Sequence, residues 1–353
     1  MARRRTVLVP ILGGVALAFV LTLSALQPGA TAAARAASAR PAALRAVKIG
    51  MGYIPSVQFA PFYVAQQRGY YRQAGLDVAF DYAQSPTLLQ IVGAGHEDFA
   101  VADGTDAIAA ITAVPVAVPL TYVMAEYQRF PVAIFALRKS GIHAVRDLRG
   151  KTIGVAGRYG ATYTGLLAAL RSAGLTLNDV HVTTIGYTQV ESVAAGRVDA
   201  AVGYSVNEPV RLTALGYKVT TLEVSTEANL VSPGIVTGIG EIARNPALVR
   251  AFVQATLHGL ADTIADPKAA FAISRRAPGL RLSGGDVAVQ YDVLTRAIDF
   301  WHGAGTKVHG LGYVDPTQWS ASAKLLHALT PSTPGALPKT AYTNAFVAGS
   351  KKV

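Results

Sequence analysis

From residue 47 onward, short apolar runs rich in β-branched residues alternate with stretches whose apolar positions recur every three or four residues. The first pattern predicts buried strands and the second predicts helices packed against them. Strands are expected over 47–53, 76–82, 98–102, 115–123 and 131–137. Between them, Pro61 opens a helix that Gly69 ends, 86–92 forms another, and a helix carrying Ile108 and Ile111 follows Asp103-Gly104-Thr105-Asp106. Proline suits a first helical turn because its missing N–H has no helical partner there. After Gly150 the pattern restarts. Residues 151–156 read as a strand, and Leu166, Leu167 and Leu170 mark a helix that ends near Ala173. A strand over 180–185, a helix over 190–195, a strand over 198–203 and a helix from Asn207-Glu208-Pro209 through Leu215 come next. Strands alternating with helices indicate parallel sheets, and two such sets in succession indicate two α/β lobes. Beyond Asn245-Pro246, read as a helix cap, the chain is mostly helical, with an amphipathic run over 248–264 broken by Asp266-Pro267.

The turn Gly157-Arg158-Tyr159-Gly160, leading to Ala161, stands out. A strand turning sharply into a helix leaves the first helical N–H groups unpaired, with the positive end of the helix dipole behind them. Such a turn is a seat for a polar or anionic ligand group. The glycines can equally serve the backbone alone, and the turn matches neither G-x-G-x-x-G nor a P-loop.

Composition narrows the picture. Of 353 residues, 51% are hydrophobic and 15% charged, which suits substantial cores and argues against long disorder. The net charge of +11 is unevenly placed. Six arginines and no acid precede Ala46, which leaves 26 bases against 21 acids for the remainder. No basic block is interleaved with aromatics, so nucleic acid is not an expected partner. Arg3-Arg4-Arg5, an uncharged apolar stretch over 7–26 and the small-residue cluster 30–34 read as an export signal, 1–34. The apolar stretch is nearly long enough for an uncleaved membrane anchor. An Ala/Arg/Ser/Pro spacer, 35–46, follows. Without cysteine, neither a disulfide nor a lipidated cysteine is available.

Several segments carry a family resemblance: Gly52-Tyr53-Ile54-Pro55, Pro61-Phe62-Tyr63-Val64-Ala65, Arg68-Gly69-Tyr70-Tyr71, Gly75-Leu76-Asp77-Val78, Asp147-Leu148-Arg149-Gly150-Lys151, Gly196-Arg197-Val198-Asp199-Ala200 and Tyr342-Thr343-Asn344. Together they resemble the solute-binding proteins of bacterial ABC importers for sulfonates, taurine, thiamine-pyrimidine precursors and riboflavin, over nearly all of 47–346. The turn at 157–160 and Asn207-Glu208-Pro209 are most similar to the pyrimidine-precursor and riboflavin branch. The resemblance implies a periplasmic-binding-protein-like (type II) α/β fold with two hinged lobes and a ligand cleft between them. The lobes are expected over 47–138 with 235–353, and over 139–234, with crossovers near 137–140 and 232–236. It further implies an exported protein without a cofactor, a monomer that hands a small molecule to a membrane permease. A sensor that binds without transport is a variant of the same reading. The branch also resembles the fungal thiamine-pyrimidine synthase, an enzyme. Where that enzyme has its cofactor lysine and substrate histidine, this chain has Ala102 and Asp106, and Tyr53 and Phe59 stand for the Trp and His of its first loop. Its cysteine cluster falls near 229–235, where no cysteine occurs.

A flat heterocycle is held by aromatic faces and a few converging polar groups. Candidate binding residues are Tyr53, Gln58 and Phe59 on the first loop, Asp103 and Thr105 after the third strand, and Arg158, Tyr159, Gly160 and Ala161 on the glycine turn. Tyr187, Tyr204, Asn207 and Glu208 complete the set. Each has an ordinary alternative. Tyr53 and Phe59 can be core residues, and Asp103, Thr105 and Asn207 can be helix caps. Arg158 can pair with an anion or shield the mouth. Glu208 can accept from an exocyclic amine or sit solvated at a helix start. No catalytic or metal residue is expected: Gly203-Tyr204-Ser205-Val206-Asn207 misses G-x-S-x-G, and the seven histidines lack ligand spacing.

Overall fold

The computed structural model describes residues 43–82, 85–282, 284–331 and 333–353. The expected export signal and most of the spacer lie outside the described residues. Ten strands form two five-stranded sheets. The strands are β1 (Arg45–Gly50), β2 (Leu76–Asp81), β3 (Phe99–Ala102), β4 (Leu120–Ala125), β5 (Val132–Leu137), β6 (Thr152–Val155), β7 (His181–Thr184), β8 (Ala200–Tyr204), β9 (Val219–Glu223) and β10 (Gly234–Gly238). The first sheet runs β2-β1-β3-β10-β4 and the second β7-β6-β8-β5-β9. In the first, β1 pairs parallel with β2 and β3, while β10 runs antiparallel between β3 and β4. The second repeats this: β6 is parallel to β7 and β8, and β5 is antiparallel between β8 and β9. The reversed strand of each sheet is the one that arrives from the other sheet. The two crossings run side by side, since the N–H groups of Glu126 and Tyr127 both donate to the Pro233 carbonyl at 3.1 Å.

Strands β3, β4 and β5 are buried at every position, as strands covered by helices on both faces must be. The long helix Pro246–Ala265 packs on the helix Ala60–Gln67. Phe252 on it stacks on Phe99 with centroids 4.1 Å apart, and on Tyr71 at 5.4 Å. Near the C-terminus Tyr342 bridges to Tyr122 of β4 and stacks obliquely on Trp319.

Four expectations need correction, and one strand, β9, was not expected at all. β5 belongs to the second sheet, so the first crossing lies before Val132 rather than near 137–140. Residues 232–236 are largely the start of β10, a paired strand of the first sheet. The strand expected over 115–123 begins only at Leu120, because Pro115 and Pro119 cannot donate to a ladder. β9 carried no strand expectation: its alternation of Val219, Thr220, Thr221 and Leu222 is weak because the strand is half-buried at an edge. Asn245 sits at its helix start without a side-chain cap, and its amide donates to Glu241 instead.

Candidate binding site

Strand ends from both sheets converge on one cavity. β3 ends at Ala102, and Asp103 turns the chain into the helix Gly104–Ile111. β6 ends at Val155, and the glycine turn opens the helix Gly160–Ser172. Gly160 has φ +77°, which needs glycine. Gly157 needs glycine for a different reason: a Cβ there would stand 2.2 Å from the Tyr159 ring. β8 ends at Tyr204, just before the helix Glu208–Ala214.

The cavity spans about 950 Å³ when the open space at its mouth is included. Eleven of the thirteen sequence candidates line it: Tyr53, Gln58, Phe59, Asp103, Tyr159, Gly160, Ala161, Tyr187, Tyr204, Asn207 and Glu208. Two do not. Thr105 is buried in its helix, and Arg158 is exposed, with its guanidinium donating to the Val182 carbonyl on β7. Arg158 therefore serves the edge of the second sheet.

The helix start that looked open to an anion is filled from within. Asp103 accepts from the Ala161 N–H and, at 2.5 Å, from the Tyr204 hydroxyl. A Cβ on Gly160 would lie 3.8 Å from the Asp106 carboxylate. Asp103 stands at a helix start without capping it, so its role is to join the two halves across the cleft. Burial raises the Asp103 pKa, opposed by those two hydrogen bonds. Tyr53 makes a second bridge: its ring meets Tyr187 edge-on at 5.2 Å and its hydroxyl hydrogen-bonds the Asn207 side chain.

Glu208 is 5% exposed and already engaged. Its Oε2 accepts from the Tyr204 N–H at 2.8 Å and its Oε1 from the Asn207 amide at 3.1 Å. Burial raises its pKa against these bonds. Asn207, favoured as a cap, makes no side-chain cap. Gln58 is similarly spoken for, accepting from the Tyr127 hydroxyl at 3.0 Å.

Asp106, Glu126, Tyr127, Thr162 and Gln189 also line the cavity, beyond the sequence candidates. Glu126 had a legible signal, since it ends the apolar run Leu-Thr-Tyr-Val-Met-Ala where a surface acid has no place. It is 1% exposed, its Oε1 has no hydrogen-bond partner among the described residues, and burial pushes its pKa up to about 8. Four carboxyl groups thus border the cavity, and no Lys, Arg or His does among the described residues. The acids do not form a metal cluster: among the described residues no three His, Cys, Asp or Glu are placed to hold an ion.

Residues 56–270 match the family described as NMT1/THI5 like, more than half of the chain. The protein belongs to the NMT1/THI5-like family. The chain is 39% identical to the riboflavin-binding protein RibY of Chloroflexus aurantiacus over 96% of its own length and 97% of that protein's. It is 28% identical, over 68% of this chain and 75% of the other, to a 4-amino-5-hydroxymethyl-2-methylpyrimidine phosphate synthase of Legionella pneumophila. Among solved structures it superposes on the alkanesulfonate-binding protein SsuA of Xanthomonas axonopodis pv. citri bound to MOPS, with a TM-score of 0.66. That match is 18% identical and covers 84% of this chain and 98% of the other. The fold of this NMT1/THI5-like protein is therefore that of the periplasmic binding proteins, as its residues led one to expect.

Proposed function

We propose that this protein is the exported solute-binding component of an ABC importer and that it captures riboflavin. The observation that carries this is the chemistry of the cavity. Its mouth is aromatic, with Tyr159 and Tyr187 43% and 40% exposed, and its lining holds four carboxyl groups and, among the described residues, no Lys, Arg or His. Flat rings stack on such tyrosines. A phosphate or sulfonate at the helix start would face Asp103, and two like charges about 4 Å apart cost roughly 4 kcal/mol at an effective dielectric of 20. A neutral flavin meets no such opposition. The 39% identity to RibY along both whole chains supports the same ligand class. An enzymatic role is disfavoured by Ala102 and Asp106, which stand where the synthase has its lysine and histidine. Delivery to a permease and action as a monomer outside the cytoplasmic membrane belong to this proposal.

The test is a titration of the purified 43–353 protein followed by quenching of riboflavin fluorescence, with FMN and MOPS in parallel. Riboflavin should bind and be quenched by stacking. FMN should bind more weakly wherever its phosphate approaches the acids, and MOPS should not compete. No binding of riboflavin up to millimolar concentration defeats the proposal. Glu208 favours a second reading, an aminopyrimidine whose amine donates to the carboxylate. It would be preferred if such a compound bound in the same titration and riboflavin did not.

A further inference from the structure

Glu126 is a buried acid for which the fold itself gives no use. Its backbone is fixed at the crossing between the sheets by the Pro233 carbonyl, and it lines the cavity from that rigid point. It is almost wholly buried, and its Oε1 meets neither a donor nor a base among the described residues. The titratable groups within electrostatic reach of it are Tyr71, Tyr122 and Tyr127, and none of these brings a positive charge. A carboxyl so placed is kept neutral or is paired by something that enters the site. Two of the other cavity acids are bonded within the protein: Asp103 to Tyr204 and Ala161, Glu208 to Tyr204 and Asn207. Glu126 is followed in the chain by Tyr127, whose hydroxyl donates to Gln58 rather than to the acid.

We propose that Glu126 reads the ring edge of the ligand, pairing as a carboxylic acid with an N–H that lies beside a carbonyl. A neutral carboxyl offers one donor and one acceptor side by side. The imide edge of a flavin offers the complementary pair at its N3–H and an adjacent carbonyl. The ring would then enter edge first, with that edge at Glu126 and its outer part between Tyr53, Tyr159 and Tyr187. This rests on the heterocycle reading above and goes beyond it by naming the group that selects the edge.

The test compares riboflavin with N3-methylriboflavin, which keeps the ring and the stacking but has lost the N–H. Both are titrated against the wild type, Glu126→Ala and Glu126→Gln. The wild type should bind riboflavin at least about a hundredfold more tightly than the methylated compound. Glu126→Ala should lose most of its affinity for riboflavin and bind the two within about threefold of each other. Glu126→Gln, whose amide also offers a donor beside an acceptor, should keep a clear preference. Melting curves of both variants establish that they are folded, and loss of an unpaired buried acid should not lower them. A wild type that binds riboflavin, with a preference left unchanged in Glu126→Ala, overturns the inference and leaves the heterocycle reading standing. A wild type that does not bind riboflavin overturns both.

Discussion

Removing one hydroxyl tests whether Asp103 joins the halves of this protein. In Tyr204→Phe the ring stays in place and no cavity opens, but the donor to Asp103 is gone. Both groups are partly buried, and a hydrogen bond to a charged acceptor contributes about 1.5–3 kcal/mol. Asp103 would retain the Ala161 N–H alone. The ligand-free protein should lose about 2 kcal/mol, which for a chain of this size is a fall in Tm of roughly 3 °C. Because the bond spans the cavity, it holds the closed arrangement, and a ligand that needs closure should bind about 10–100-fold more weakly. The assay is thermal and urea unfolding of wild type, Tyr204→Phe, Asp103→Asn and the double variant. The double-mutant cycle should show a coupling on the order of 1 kcal/mol or more. If Tyr204→Phe melts with the wild type and the cycle is additive, the contact does not join the halves, and the closure argument falls with it.

The acid at 126 predicts a pH dependence. The unfolded chain releases this proton near the ordinary glutamate range, while the folded protein holds it to about pH 8. Stability should therefore fall as pH rises from about 4.5 to 8 and level off above, by as much as roughly 5 kcal/mol in all from this group. Glu126→Gln should gain on the wild type progressively across that window, and melting curves that stay parallel from pH 5 to 8 would refute the assignment. Gly259→Ala should destabilise although alanine is the better helix former by about 1 kcal/mol. Its Cβ would stand 2.1 Å from the Pro61 carbonyl and 2.9 Å from Ala65, which forces the two helices apart at an overpacking cost of about 1–3 kcal/mol. A variant as stable as the wild type in urea would show that this helix pair can yield.

Much of the fold was legible because the fully buried strands announce themselves. Val132 to Leu137 is apolar at every position, and the helix at Leu166 to Leu170 repeats at helical spacing. Sheet membership was not legible. A run such as Val-Ala-Ile-Phe-Ala-Leu says that it is buried but not against which neighbour, so β5 was assigned to the wrong half. The cavity was readable to the extent that its lining residues cluster near strand ends. Tyr53, Tyr159, Tyr187 and Glu208 were found that way. What the chain could not reveal is which polar groups already have partners. Glu208 looked available and is held by Tyr204 and Asn207, and Arg158 looked like an anion partner and serves a strand edge. Pairings of that kind arise between segments distant in sequence, and a local pattern carries no trace of them.

The exchange of β5 and β10 has a consequence for how this protein comes into being. When the ribosome has delivered β4, the first sheet still has an empty slot between β3 and β4, to be filled only when Gly234 emerges. At ordinary synthesis rates that slot stays vacant for on the order of ten seconds, with the two most buried strands of the sheet offering bare edges. The first half cannot be completed before the second has been made. Such a chain does not settle early into a finished first half. A fragment that stops short of residue 234 would be sticky rather than merely smaller.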